Sequence, residues 1–215
     1  MVRQYPVLLV LQGRRCVVVG GGGVAERKID SLLACDAEVC AIAPSFSPTV
    51  ERLAAEGKVA LVRRSYRPGD LAGCFLAVAA TDDEEVNEAV WREAEERGLL
   101  VNVVDDPARC TFTLPATLRR GPFLLTVSTG GTSPALARRV REELERQFGP
   151  EYGVFATWLG ELRGRLRASH TRQEERERIY RALVYSDVLD LLRAGRETEA
   201  RQRVEALLQE PPASG

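Results

Sequence analysis

The chain has 215 residues, 45% of them hydrophobic, and its 30 basic and 31 acidic side chains leave a formal net charge of −1. That is material for one large domain, or a domain with a smaller appendage, and a balance too even to imply a nucleic-acid partner. No apolar run approaches the ~20 residues that span a bilayer, and the stretch 7–11, closed by Arg14 and Arg15, is too short for a secretory signal, so a cytoplasmic protein with no membrane partner is expected.

Strand and helix patterns alternate up to about residue 113. The β-branched run 15–19 predicts a strand, four glycines follow at once, and 24–34 has a helical pattern. A second strand is expected over 38–43, ended by Pro44, then a helix over 49–56 and a short strand over 59–63. Residues 74–80 form an unbroken apolar run, the pattern of a strand covered on both faces of a parallel sheet. A charged amphipathic helix over 83–97, stopped by Gly98, and a strand over 100–104 complete the series. This alternation predicts an α/β protein with a Rossmann-type parallel sheet over 1–113.

Beyond it, 123–128 reads as one more strand, and a turn opens a helix with Ser133 as N-cap and Pro134 at its first position. From Pro150 onward no strand is signalled. Helices rich in Arg and Glu are predicted over 152–166, 173–183 and 188–209, and the tail 211–215 is read as disordered. The five cysteines are scattered without a C-x-x-C pair and read as small buried hydrophobes. With His170 the only histidine, no permanent metal site built from histidines is expected.

Gly20, Gly22 and Ala25 fit G-x-G-x-x-A, the fingerprint of a dinucleotide-binding turn. Gly20 permits the tight turn, Gly22 admits a pyrophosphate close to the backbone, and small Ala25 lets the helix approach the strand. The helix N-terminus offers free N–H groups and a positive dipole end to the phosphates. In such sheets ligands bind beyond the carboxyl ends of the strands. Those ends here are Gly20 to Val24 with Gly23, then Ala43, Pro44 and Ser45, then Thr81 and Asp82, then Asn102 to Asp106 with Val103 and Asp105 among them, then Ser128 to Pro134.

The second strand does not end in the acid that usually grips the ribose, nor in an arginine, so backbone groups or the Ser45 hydroxyl would hold it. Asp105 reads equally as a general base facing a ligand or as an Asx-turn residue before proline. Asp82 and Asp83 read better as helix caps. A second anion-binding turn is formed by Ser128, Thr129, Gly130, Gly131, Thr132 and Ser133, with two hydroxyls beyond what capping needs. This points to a carboxylate-bearing substrate.

Val24-Ala25-Glu26-Arg27-Lys28 after the glycines, Ala80-Thr81-Asp82-Asp83, Asn102-Val103-Val104-Asp105 and Ser128 through Ala137 together resemble the siroheme synthase family, specifically its precorrin-2 dehydrogenase module. The resemblance covers nearly the whole chain in order. It implies a Rossmann domain over 1–113, a dimerisation segment over 114–150 and a helical C-terminal domain over 151–215. It implies NAD as cofactor, the tetrapyrrole precorrin-2 as substrate, oxidation to sirohydrochlorin, and a homodimer. Asp105 matches the catalytic aspartate, and Gly22, Gly23, Val24, Pro44 and Ser45 match the cofactor contacts. Some members also insert ferrous iron into the product with the same aspartate. Thr129 departs from the family, whose fused members carry a phosphorylated serine there.

Two rivals stand beside this reading: an NAD-sensing regulator that binds DNA, and a chelatase that keeps only the metal step. The interleaved Arg and Glu of the C-terminal helices, as in Glu174-Glu175-Arg176-Glu177-Arg178, read as a solvated or dimer-facing surface, not a DNA-recognition helix.

Overall fold

A computed structural model describes residues 3–169 and 172–209, so that His170 and the tail 211–215 lie outside the described residues. The chain divides into two compact units, one reaching Leu114 and the other beginning at Pro115.

The first unit is built on five parallel strands: β1 (Arg15–Val19), β2 (Glu38–Ala43), β3 (Val59–Arg63), β4 (Leu76–Ala79) and β5 (Leu100–Val103). Their spatial order is β3-β2-β1-β4-β5. Side chains alternate between the sheet's two faces, and both faces are covered. Cys16, Val18, Ala41, Leu76 and Val78 pack on one side with Ala25 and Ile29 of α1 (Gly23–Leu33) and Val50 and Leu53 of α2 (Pro48–Ala55). Val17, Val19, Ile42, Ala77, Ala79 and Val101 pack on the other with Val90 and Ala94 of α3 (Glu84–Glu96). The winding direction reverses after β3, so the helices that follow the paired strands β1 and β4 lie on opposite faces of the sheet. The ends of these strands form the topological switch point, where such sheets bind their ligands.

The predicted elements of this unit are all present, with boundaries moved by a residue or two. The largest difference is at β4. The strand begins only at Leu76, because the Cys74 N–H closes a turn onto the Leu71 carbonyl.

The connection from β3 to β4 carries no helix and is pinned by a buried carboxylate. Glu93 on α3 is 6% exposed and accepts from the Tyr66 hydroxyl, from the N–H groups of Gly69 (2.8 Å) and Leu71 (3.3 Å), and from Arg97 (2.7 Å). Burial alone would push its carboxyl up, but the Tyr66 hydroxyl, the Gly69 N–H and Arg97 outweigh burial and hold it below the usual carboxylate range. Glu93→Ala would strand those donors, at roughly 1–3 kcal/mol for each buried group left unpaired. A loss of about 2–4 kcal/mol in a urea titration is the expected result. Because the folded carboxyl is depressed, this stabilisation is present above the unfolded carboxylate range and fades as pH falls through the folded value.

The second unit opens with an antiparallel pair, β6 (Ala116–Arg120) and β7 (Phe123–Val127), joined by Gly121-Pro122. Helix α4 (Pro134–Gln147) and helix α5 (Pro150–Ala168) pack against this pair. The approach of α5 is close: a Cβ added at Gly153 would stand 2.7 Å from the Arg120 carbonyl oxygen. Phe123, Phe148 and Tyr152 form an aromatic cluster with ring centroids 5.0–5.8 Å apart. Phe155, Leu162, Leu183, Val188 and Ala200 make a separate core shared by α5, α6 (Gln173–Val184), α7 (Val188–Arg193) and α8 (Glu197–Gln209).

Two findings differ from the sequence reading here. The apolar pattern predicts a single helix across 188–209, whereas Gly195, at φ 73°, ends α7 and lets the chain turn into α8. Strand β6 carries no sequence signal, since Leu118 is its only buried residue.

Candidate functional site

The glycine turn lies between the carboxyl ends of β2 and β4. Gly20 N–H donates to the Ile42 carbonyl at 2.9 Å, and Ala80 N–H donates to the Val19 carbonyl at 2.7 Å. Gly20 sits at φ 134°, and a Cβ there would stand 2.1 Å from the Ala80 carbonyl oxygen. Gly21, to which the fingerprint gives no role, is as tightly enclosed. Its Cβ would stand 1.9 Å from the Ser45 carbonyl oxygen, and its own carbonyl accepts from Ser47 N–H at 2.9 Å. So Gly20 and Gly21 let three strand ends close on one another.

Gly22 and Gly23 have the opposite surroundings: a Cβ at either meets nothing within 4 Å. Gly22 is the N-cap of α1, and no side chain caps the helix. The first N–H groups of α1, at Gly23, Val24 and buried Ala25, are therefore available to an anion, and the dipole favours one there. Pro44 and Ser45 are exposed beside this turn. At the end of β4, Thr81 accepts from Asp83 N–H through its hydroxyl, and its carbonyl accepts from the Asn87 amide at 2.9 Å. The Asn87 Oδ1 atom is buried without a hydrogen-bond partner among the described residues. Asp83 caps α3, accepting from Glu85 and Val86 N–H, as a cap reading requires; Asp82 is exposed. An open, uncapped helix end over a glycine cradle, with an orphaned acceptor nearby, fits a dinucleotide.

After β5 the chain turns sharply. Asp105 adopts φ 61°, a left-handed conformation that Asp tolerates better than most side chains. It is exposed, and no described residue donates a hydrogen bond to its carboxylate. The Asx-turn role belongs to its neighbour: Asp106 accepts from Ala108 N–H at 3.1 Å and pairs with Arg109 at 3.3 Å. The turn is closed from below by Cys110. Its thiol donates toward the carbonyls of Val103 (3.2 Å) and Asp106 (3.1 Å), and its sulfur accepts from Val103 N–H and the Asn102 amide at 3.3 Å each.

Burial pushes the Cys110 thiol up, so it stays protonated and can both donate and accept. Burial likewise raises Cys16, to about 11. Asn102 also donates to the Phe112 carbonyl at 3.2 Å, so its side chain holds the loop that follows Asp105. Lys28, half-buried on α1, lies within electrostatic reach. Burial and then Arg27 hold its ammonium below the usual range, while Cys110 and Asp105 act the other way.

The structure thus brings Gly20, Gly22, Gly23, Val24, Pro44, Ser45, Thr81, Asn102, Val103 and Asp105 to one edge of one sheet. The hydroxyl turn belongs to the second unit. Its groups bond chiefly to one another: Ser128 accepts from Gly130 N–H, Thr129 exchanges hydrogen bonds with Ser133, Thr132 donates to the Thr129 carbonyl, and Ser133 caps α4 through Leu136 N–H. The two hydroxyls counted as surplus to capping therefore have partners within the turn. Residues missed from the sequence are Gly21, Cys110 and Lys28. Only Lys28 carried a signal, as one of two lysines among 30 basic residues.

Against known proteins, residues 7–116, just over half of the chain, match the family described as putative NAD(P)-binding. Residues 120–147 match that described as sirohaem biosynthesis protein central, and 151–208 that described as sirohaem synthase dimerisation region. The chain belongs to the siroheme synthase family. Its relatives there include the siroheme synthase of Methylobacillus flagellatus, 38% identical over 94% of this chain and 44% of that protein. Siroheme synthase 2 of Cronobacter sakazakii is 39% identical over 96% of this chain and 45% of that one. The chain spans under half the length of these relatives. Among solved structures, SirC, a precorrin-2 dehydrogenase, superposes with a TM-score of 0.79 at 28% identity, over 94% of this chain and all of that one. The family and the open glycine cradle assign the first unit a nicotinamide cofactor. No helix among the described residues is long and apolar enough to cross a membrane.

Proposed function

We propose that this chain oxidises precorrin-2 to sirohydrochlorin with NAD, as a homodimer. The observation that carries the reading is the single edge on which an uncapped helix end above the glycine cradle meets Asp105, whose carboxylate accepts no hydrogen bond from the described residues. The oxidation removes two electrons and two hydrogens from the tetrapyrrole, one leaving as hydride and one as a proton. When bound, a nicotinamide would supply the hydride acceptor. Gly22, Gly23 and Val24 would hold its pyrophosphate, Pro44 and Ser45 would hold the ribose, and Thr81, Asn102 and Val103 would line the rest of the site. Asp105 takes the proton, free to do so because Asp106 performs the capping that the turn needs.

The cofactor is NAD in preference to NADP, because neither Pro44 nor Ser45 can pair with a 2′-phosphate charge. The turn from Ser128 to Ser133 contributes to substrate binding: among the described residues no acceptor takes the Ser128 hydroxyl proton, and two of the turn's residues, Gly130 and Gly131, present backbone at positive φ. The domain division 1–113, 114–150 and 151–215 accompanies this reading. The dimer contacts draw on 114–150 and the helices beyond, where Leu136, Val154, Val184 and Tyr185 are exposed.

The DNA-binding alternative loses support from α4, whose Arg138, Arg139 and Arg141 pair with Glu142, Glu143 and Glu145 one turn on. The test is incubation of the purified chain with precorrin-2 and NAD. Sirohydrochlorin absorbance should rise in step with NADH, and neither signal above the uncatalysed rate would overturn the proposal. Light scattering should give twice the chain mass, and a monomer at micromolar concentration would remove the dimer from it.

A further inference from the structure

The loop after β2 carries neither acid nor arginine, yet β3 delivers an arginine to it and α2 an acid. Ala43, the last residue of β2, is in register with Arg63, the last residue of β3. The Arg63 guanidinium lies 5.8 Å from the centre of the Phe46 ring, the residue that follows Ser45. Both its terminal nitrogens bind the two carboxylate oxygens of Glu51 in the first turn of α2, with Nη2 to Oε2 at 2.7 Å. The pair is well exposed on both sides, where an ion pair adds little stability. Its arginine holds the Glu51 carboxyl below its usual range. The neighbouring Arg64 is engaged in the same bidentate way with Asp70.

The end of β2 is where this fold places the ribose of a dinucleotide, and where an arginine would receive a 2′-phosphate. We infer that Glu51 sets the preference for NAD over NADP by occupying Arg63, which would otherwise bind the 2′-phosphate. Glu51 acts in two ways. It fills the guanidinium fork that phosphate would use, and its charge repels a phosphate brought to the same place. Arg63 is a latent 2′-phosphate receptor, and Glu51 its lock.

The inference rests on the proposed NAD preference and is tested by binding alone. Calorimetric titrations of the full chain with NAD and NADP, and with adenosine 5′-monophosphate and adenosine 2′,5′-bisphosphate, compare the parent with Glu51→Gln and with Glu51→Gln/Arg63→Ala. Glu51→Gln should tighten NADP and the bisphosphate by roughly 10–100-fold, the worth of a hydrogen bond between charged groups, with NAD nearly unchanged. The added Arg63→Ala should erase the gain. An unchanged NADP affinity in Glu51→Gln, or a gain that survives loss of Arg63, would overturn the inference. A parent chain that binds NADP as tightly as NAD would instead overturn the preference on which it rests.

Discussion

Asp105→Asn should slow the oxidation of precorrin-2 by roughly 10²–10⁴-fold, the usual worth of a positioned general base. The substitution keeps the shape of the side chain and its tolerance of a left-handed backbone, so the φ of 61° costs no more than before. No described residue depends on the carboxylate for a hydrogen bond, so stability should not change. NAD affinity should also hold, because the cradle around Gly20 and Gly22 is formed by other strands. Asp106→Asn is the matched control. Its remaining carbonyl oxygen still accepts from Ala108 N–H, and only the partly buried attraction to Arg109 is weakened. The measurement is sirohydrochlorin formation under saturating NAD, with NAD binding followed separately. Parent-like rates in both variants would mean that the proton leaves to water.

Much of the first unit is legible in the sequence because short-range patterns dominate it. The runs 15–19, 38–43 and 100–104 are apolar and β-branched, and in a sheet covered on both faces such runs have no alternative use. The glycine cluster follows a strand and precedes a helix, so the cradle can be placed from the chain alone. What cannot be read depends on chain segments meeting across the fold. Gly21 is enclosed only because the β2 loop brings the Ser45 carbonyl against it, 24 residues on in the chain, and nothing local to Gly21 announces that.

Arg63 reaches the same corner only through the register of β3 on β2. Cys110 looks like any half-apolar cysteine until the loop after β5 folds back and gives it four hydrogen bonds to three residues. Strand β6 is polar and short, and exists because β7 pairs with it across the Gly121 turn at φ 55°. The break at Gly195 is a different matter. A glycine followed by a polar residue is a helix stop present in the sequence, and the apolar pattern on either side masks it.

The adjacent glycines of the cradle should separate into two kinds when each is given a methyl group. Gly21→Ala drives a Cβ to 1.9 Å from the Ser45 carbonyl oxygen and 3.1 Å from the Ala43 Cβ, and backbone on both sides must move. Overpacking of this sort costs about 1–3 kcal/mol, so the chain without cofactor should unfold at a lower urea concentration. Gly22→Ala meets no protein atom within 4 Å and sits at an ordinary extended φ of −86°, so its unfolding midpoint should match the parent's. Its methyl group instead occupies ground over which a pyrophosphate must approach the uncapped helix end. A clash of the same size there would weaken NAD binding by roughly 5–150-fold. The two variants therefore predict opposite profiles: one loses stability in the absence of NAD, the other loses NAD affinity at full stability. If Gly22→Ala bound NAD as tightly as the parent, the pyrophosphate would not lie against this turn, and the assignment of the helix end as its receptor would fall.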